Sequence, residues 1–485
     1  MRSSAALLAL LAVGCTSMQP NYVRPDTAIP ATWPAGDPYL LQAEVGLPAL
    51  TYKQVFTDPR LQTLIAQALA NNRDLRVAAA NIAAAREQYR IQRANQLPAV
   101  DANAGATVSG DRDKNVSAQF QAGIGAPNYE IDLFGRLRSL TDVQLNRFFA
   151  TEAGARATRL ALVANVADTW LDYAADSSLL RIASETAASA EKSVRLTRIR
   201  LEGGVAPRTD LDQAQQILST AQADLARERT AVAQDLNALQ LLVGAPIDPN
   251  LLSGSIDDAF GTIAPVAPGL DSNVLLRRPD VMQAEYQLRS ANANIGAARA
   301  ALFPRITLTG LLGFASSALL KLFTGGALGW SAGADATYTI FQAGAGHANV
   351  RLTQAQQRAA VASYQGSIQT AFREVADALA RRVTINDEIA ARERQRAATA
   401  DAYLLTEARY RAGVDPFLTV LDSQRSYYAA QQILVNVKLT AAQNIVATYQ
   451  AIGGDALLQG TPICQKLPGD TAQPNAVLAA ECLPA

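Results

Sequence analysis

The sequence is short of the side chains that most chemistry requires. Its 485 residues include one histidine, three cysteines and three methionines, and only 18% of them are charged. The lone imidazole, His347, cannot build a histidine-rich zinc or iron site, and it leaves general-base schemes a single candidate. Methionine-based copper handling fails for the same reason: Met1 goes with the leader, Met18 lies in an extended arm, and only Met282 remains. Lysine plus arginine (43) equals aspartate plus glutamate (43). Nucleic-acid binding rests on many unbalanced phosphate contacts, so that partner class is excluded. Runs of about 18 uninterrupted apolar residues are also missing, which excludes a spanning helix. No metal, no cofactor and no enzyme activity is expected.

The amino terminus gives a compartment. Met1-Arg2-Ser3-Ser4 and the apolar run Ala5 to Val13 make a short secretory signal, residues 1–14. It ends in Leu11-Ala12-Val13-Gly14-Cys15, which resembles a bacterial lipobox and implies lipidation of Cys15. Thr16 follows in place of the aspartate that retains lipoproteins at the inner membrane, so outer-membrane delivery is expected. Cys464 and Cys482 are then an even pair in an oxidising compartment, readable as a disulfide or as two free thiols.

Past a proline-rich arm, residues 15–57, the chain reads as one unit used twice, over 58–243 and 275–452, with a linker at 244–274 and a tail at 453–485. Long helices over 60–97 and 279–303 stop at Leu97-Pro98 and Phe303-Pro304, because proline disfavours helical dihedrals in the residue before it. Two alternating stretches follow each proline: Ala99–Asp111 with Val116–Ala126, and Arg305–Ala315 with Trp330–Ile340. Their period of two marks strands, and about 10 residues is the length of a tilted membrane strand. Proline-free helices over 137–201 and 346–411 come next, and both turn at similar punctuation. The turns are Gly203-Gly204-Val205-Ala206-Pro207 and Gly413-Val414-Asp415-Pro416. A duplication is the economical reading.

Four membrane strands cannot close a barrel, and open edges in lipid leave backbone groups unpaired at several kcal/mol each. The chain must therefore assemble, and three copies would supply 12 strands around an open lumen. The fold class expected is mainly α with a membrane β-barrel: four strands and long helices per protomer, continued by a periplasmic α-helical barrel.

These features resemble the outer-membrane factor family of tripartite efflux systems, the TolC-type ducts, in their OprM-like lipoprotein branch. The motifs that carry the resemblance are Pro20-Asn21-Tyr22-Val23-Arg24-Pro25, Leu133-Phe134-Gly135-Arg136, Leu275-Leu276-Arg277-Arg278-Pro279-Asp280, Tyr410-Arg411-Ala412-Gly413-Val414 and Leu418-Thr419-Val420-Leu421-Asp422-Ser423-Gln424-Arg425. The resemblance implies a homotrimer in outer-membrane lipid, passive export of drugs or other small molecules, a periplasmic adaptor and an inner-membrane pump of the resistance-nodulation-division type. It also implies a periplasmic gate at Leu418, Asp422 and Arg425, whose spacing puts them on one helical face. Adaptor contacts are implied at the tips, Gly203, Gly204, Val205 and Pro207 with Gly413, Val414, Asp415 and Pro416. A duct for type I protein secretion and a non-pore exported helical scaffold stay open as alternatives.

One motif points elsewhere. Gly329-Trp330-Ser331-Ala332-Gly333, followed by Asp335 and His347, fits the G-x-S-x-G pattern of a serine hydrolase. A nucleophile elbow needs a strand-to-helix turn, whereas Ser331 opens an alternating strand.

Overall fold

The computed structural model describes residues 17–26, 51–110, 116–264, 272–324 and 326–454. The expected leader, Cys15, Cys464 and Cys482 lie outside the described residues. The chain order is α1 (Tyr52–Val55), α2 (Pro59–Asn71), α3 (Arg73–Ala94), β1 (Asp101–Gly110), β2 (Val116–Ile131), α4 (Arg136–Glu202), α5 (Arg208–Val243), α6 (Ile256–Phe260), α7 (Pro279–Ala300), β3 (Arg305–Ser316), β4 (Leu328–Thr337), α8 (Ala345–Arg411) and α9 (Phe417–Ala451). Helices α4 and α8 have 67 residues each. At 1.5 Å per residue each is about 100 Å long.

Backbone geometry repeats with the sequence. Left-handed glycines end corresponding elements at one and the same interval: Gly135 and Gly344 (φ 72° and 84°), Gly204 and Gly413 (73° and 77°), Gly244 and Gly453 (73° and 89°). Two compact units are nonetheless drawn from both halves. One takes 17–26, 80–153 and 282–366; the other takes 51–79, 154–281 and 367–454.

The first unit holds the sheet, an antiparallel meander β1-β2-β3-β4. Its arm, residues 17–26, is pinned along α7. Asn292 Nδ2 donates to Pro20 O at 2.8 Å, and Arg24 donates to both oxygens of Glu285, at 3.2 and 2.8 Å. Arg289 reaches Glu285 at 2.7 Å and lies over the Tyr22 ring at 4.9 Å. A side chain at Gly296 would meet Gln19 Cα at 2.8 Å, so the arm needs that glycine.

The second unit is helical, with a core of fully buried Phe56, Leu61, Leu64, Ile65, Trp170, Leu171, Leu239 and Tyr449. Trp170 satisfies its indole by donating to Leu251 O at 3.0 Å. Arg278 is buried and neutralised twice, by Asp280 and Glu374, both at 2.8 Å, and it donates to Ala451 O at 2.8 Å. It ties the starts of α7 and the end of α9 to α8 within this unit.

Three expected boundaries move. The helix read over 60–97 is two helices, because Asn72 turns extended (φ −56°, ψ 136°). Its side chain accepts from Leu75 N–H at 3.1 Å and donates to Leu242 O at 2.9 Å, capping α3 and docking it. Strand β2 runs past Ala126 to Ile131 through a bulge between Ala126 and Tyr129. Strand β4 stops at Thr337, short of Ile340.

Candidate functional site

A duct needs a wall with two solvents, and the register supplies it. Side chains of directly opposed residues share a face. Ala102, Ala104, Ala106 and Val108 of β1 oppose Ile124, Ala122, Phe120 and Ala118 of β2. Ile124 and Ala122 oppose Leu312 and Phe314 of β3, which in turn oppose Trp330 and Leu328 of β4. That face is apolar apart from Ser316, which opposes Phe120 at the end of β3, and Val108, Val116, Ile124, Leu312, Leu328 and Trp330 are exposed on it. The other face carries Asn103, Thr107 and Ser109, then Ser117, Gln119 and Gln121, then Thr307 and Thr309, then Ser331 and Asp335. Such a sheet can part hydrocarbon from water. Ser331 is a mid-strand residue of this polar face, so the hydrolase motif has no elbow.

The bulge protects that division. Across it β2 advances from Ala126 to Tyr129 while β3 advances only from Gly310 to Leu308. The extra residue keeps Tyr129 and Ile131 opposite Leu308 and Ile306, on the apolar side, and leaves Glu130 opposite Thr307. Glu130 is clasped there by Arg136 (2.8 and 2.6 Å) and approached by Arg305 at 3.5 Å.

At the far ends of the long helices, both turns close alike. Val205 N–H donates to Arg200 O and Val414 N–H to Arg409 O, each at 2.9 Å, around the left-handed Gly204 and Gly413. This is the six-to-one bond of a Schellman motif. Pro207 and Pro416 cap the returning helices with nearly the same dihedrals (φ −74°, ψ 157°; φ −71°, ψ 154°). Gly203, Val205 and Val414 are exposed, Asp415 less so. The side chains differ: Arg409 makes a two-pronged bond to Asp415 (2.7 and 2.9 Å), while the corresponding Arg200 lies over the Tyr410 ring at 4.3 Å. Behind the turns, Ala190, Val194, Ala214, Ile217, Tyr410, Phe417, Val420 and Leu421 form one apolar cluster.

Leu418, Asp422 and Arg425 fall together on the exposed face of α9, opposite buried Phe417, Val420, Leu421 and Gln424. No ion pair joins Asp422 to Arg425. Arg425 donates instead to Gln216 Oε1 at 3.2 Å, and Gln216 occupies the corresponding place in the first hairpin. Both side chains line a cavity of about 180 Å³ with Thr186, Thr220 and Tyr428.

The sequence reading missed a carboxylate cluster higher on the same helices. Asp168, Asp172 and Asp176 follow one another at helical spacing on α4, and Asp172 and Asp176 meet Asp235 of α5. Burial, then the charge of Asp172, raises Asp168 to about 7. Burial and the neighbouring Asp176 and Asp172 also raise Asp235, whose carboxyl shares a hydrogen bond with Asp176. Gln443 Nε2 donates to Asp172 at 2.8 Å, whereas Asp168 Oδ1 and Asp235 Oδ2 have no hydrogen-bond partner. Their spacing of four was a visible signal. Among the described residues no group of His, Cys, Asp or Glu is arranged to hold a metal ion.

Comparison with known proteins decides the family. Residues 64–245 and 270–454 match the outer membrane efflux protein family. The chain belongs to this outer membrane efflux protein family. Its relatives include the antibiotic efflux pump outer membrane protein ArpC and the toluene efflux pump outer membrane protein TtgC, both of Pseudomonas putida. Each is 41% identical over 460 residues, 93% of this chain and 95% of the relative. Among solved structures, the open state of the MtrE outer membrane channel of Neisseria gonorrhoeae is 35% identical with a TM-score of 0.83, covering 91% of this chain and 99% of that one. This outer membrane efflux protein is therefore a channel component of an efflux pump and not an enzyme. Its fold class is the expected one, a trimeric channel type with a β-barrel and an α-helical barrel.

Proposed function

We propose that this outer membrane efflux protein is the exit duct of a tripartite pump for antibiotics and apolar solvents, fed by a periplasmic adaptor and a resistance-nodulation-division pump. The substrate class follows relatives whose names specify antibiotics and toluene. The observation that carries the duct reading is the four-stranded sheet with one predominantly apolar face and one polar face. Three copies turn that sheet into a 12-stranded wall with a wet interior.

The gate sits at the tips. Leu418 narrows the passage, while Asp422 and Arg425, unpaired with each other, present one acidic and one basic ring in a trimer. The Arg425–Gln216 bond holds the two hairpins together and must break for the tip to widen. Gly203, Gly204, Val205 and Pro207 with Gly413, Val414, Asp415 and Pro416 form the adaptor contacts, exposed Val205 and Val414 supplying apolar area. Cys15 carries the lipid anchor. The arm pinned to α7 begins two residues later at Ser17, which lies against Gly135 at the base of the sheet, so acyl chains on Cys15 have a short path to the bilayer.

Single-channel recording tests the gate. Asp422→Ala in a planar bilayer is expected to raise the open probability, and Arg425→Ala to do so as well. Unchanged opening in both variants would refute it.

A further inference from the structure

The β3–β4 connection differs from the other hairpin tip on the same side of the sheet. By sequence the β1–β2 tip is Asp111-Arg112-Asp113-Lys114-Asn115, wholly polar, whereas residues 319–323 read Leu-Leu-Lys-Leu-Phe. A 3-10 turn spans Leu319–Lys321, Leu322 N–H donates to Leu319 O at 3.1 Å, and the Thr324 hydroxyl donates to Lys321 O at 2.7 Å. Leu322 is buried, yet Leu319, Leu320 and Phe323 are 59%, 97% and 73% exposed.

Phe323 shows which way the loop leans. Its ring meets that of Phe314 edge-on, with centroids 5.5 Å apart. Phe314 lies on the apolar face, opposite Ala122 on one side and Leu328 on the other. The loop thus extends the hydrocarbon side of the wall beyond the strands and not the polar side. Lys321 is the only charged residue of the five and is exposed. Its long apolar stem suits a place where carbon chains give way to phosphate.

We propose that residues 319–323 are an elbow seated in the outer leaflet, with Leu319, Leu320 and Phe323 among acyl chains and Lys321 against the phosphate of a phosphorylated glycolipid. The proposal rests on the apolar face being the lipid face, and the experiment separates the two. Spin labels are placed singly by Leu320→Cys, Phe323→Cys, Leu312→Cys and Ser331→Cys in a background without other free thiols. The trimer is reconstituted in phosphatidylcholine vesicles containing lipid A, and collision with oxygen is compared with collision with a water-soluble nickel chelate. Labels at 320 and 323 are expected to favour oxygen as the label at 312 does, and the label at 331 to favour nickel. If 320 and 323 follow 331 while 312 stays with oxygen, the elbow is wrong and the wall stands. If they are shielded from both quenchers, a second copy covers them and the elbow is again wrong. Nickel access at 312 overturns both readings. For the phosphate, Lys321→Ala is expected to retain lipid A about five-fold more weakly, the worth of one lysine at an anionic surface. Equal retention by the variant, or equal retention of dephosphorylated lipid A by the parent protein, overturns that contact.

Discussion

Replacing Asp168 by asparagine should flatten the dependence of stability on pH. In the folded protein this carboxyl is mostly buried on α4, beside Asp172, with one oxygen unpartnered, and it titrates at about 7 instead of 3.8. A folded-state value above the unfolded one means that the native state holds the extra proton. The stability this group contributes is full below the unfolded value and is lost as pH rises through the folded one. The difference amounts to about 4 kcal/mol between the protonated and ionised forms, of which about 2 kcal/mol falls between about pH 5.5 and about pH 8. Thermal melting of the detergent-solubilised protein across that range reads the effect. The parent protein should melt progressively lower as pH rises, and Asp168→Asn should lose most of that slope while matching the parent at the acidic end. If the variant keeps the parental slope, the assignment of the proton to Asp168 is wrong. If it is destabilised equally at every pH, the side chain matters through its shape and not through its charge.

Gly413→Ala should cost about 1 kcal/mol, because φ is 77° there and no heavy atom crowds the site, so the strain is in the backbone alone; a melt unchanged within error would contradict this. Glu285→Gln removes the anion that holds Arg24 and Arg289. Protease should then cut residues 17–26 several-fold faster, a rate that an arm held by Asn292 alone would not show. Burial opposes ionisation of Glu285, but Arg289 and Arg24 prevail and hold its carboxyl below the usual range. The arm's attachment is therefore stable at neutral pH and is lost in acid, as pH falls through that depressed value.

Strand and helix identity were legible because their periods differ: Val116, Ala118, Phe120, Ala122 and Ile124 alternate, while α4 and α8 run 67 residues without a proline. The turns were equally legible, since Gly204 and Gly413 do what only glycine does cheaply. What escaped depended on tertiary partners. Asn72 breaks a helix because Leu242 O is there to receive it. Pro127 read as a strand end, yet it lacks the N–H that a ladder would need, and its carbonyl accepts from Thr309 at 2.7 Å inside the bulge. The Arg425–Gln216 contact joins positions related by the duplication, which spacing along one helix cannot reveal. The acidic residues of α4 were visible at intervals of four, but the convergence of Asp172 and Asp176 on Asp235, many turns away in sequence, was not.

The β2 bulge has a further consequence, for how such a wall can change length. Elsewhere in the sheet, adding or losing a single residue would swap inside for outside along the rest of the strand. At residues 127 and 128 one residue is already surplus to the pairing, so its loss would return β2 to plain alternation with Tyr129 and Ile131 still in the hydrocarbon. This short stretch is the place where the strand can lengthen or shorten by one without the barrel turning itself inside out.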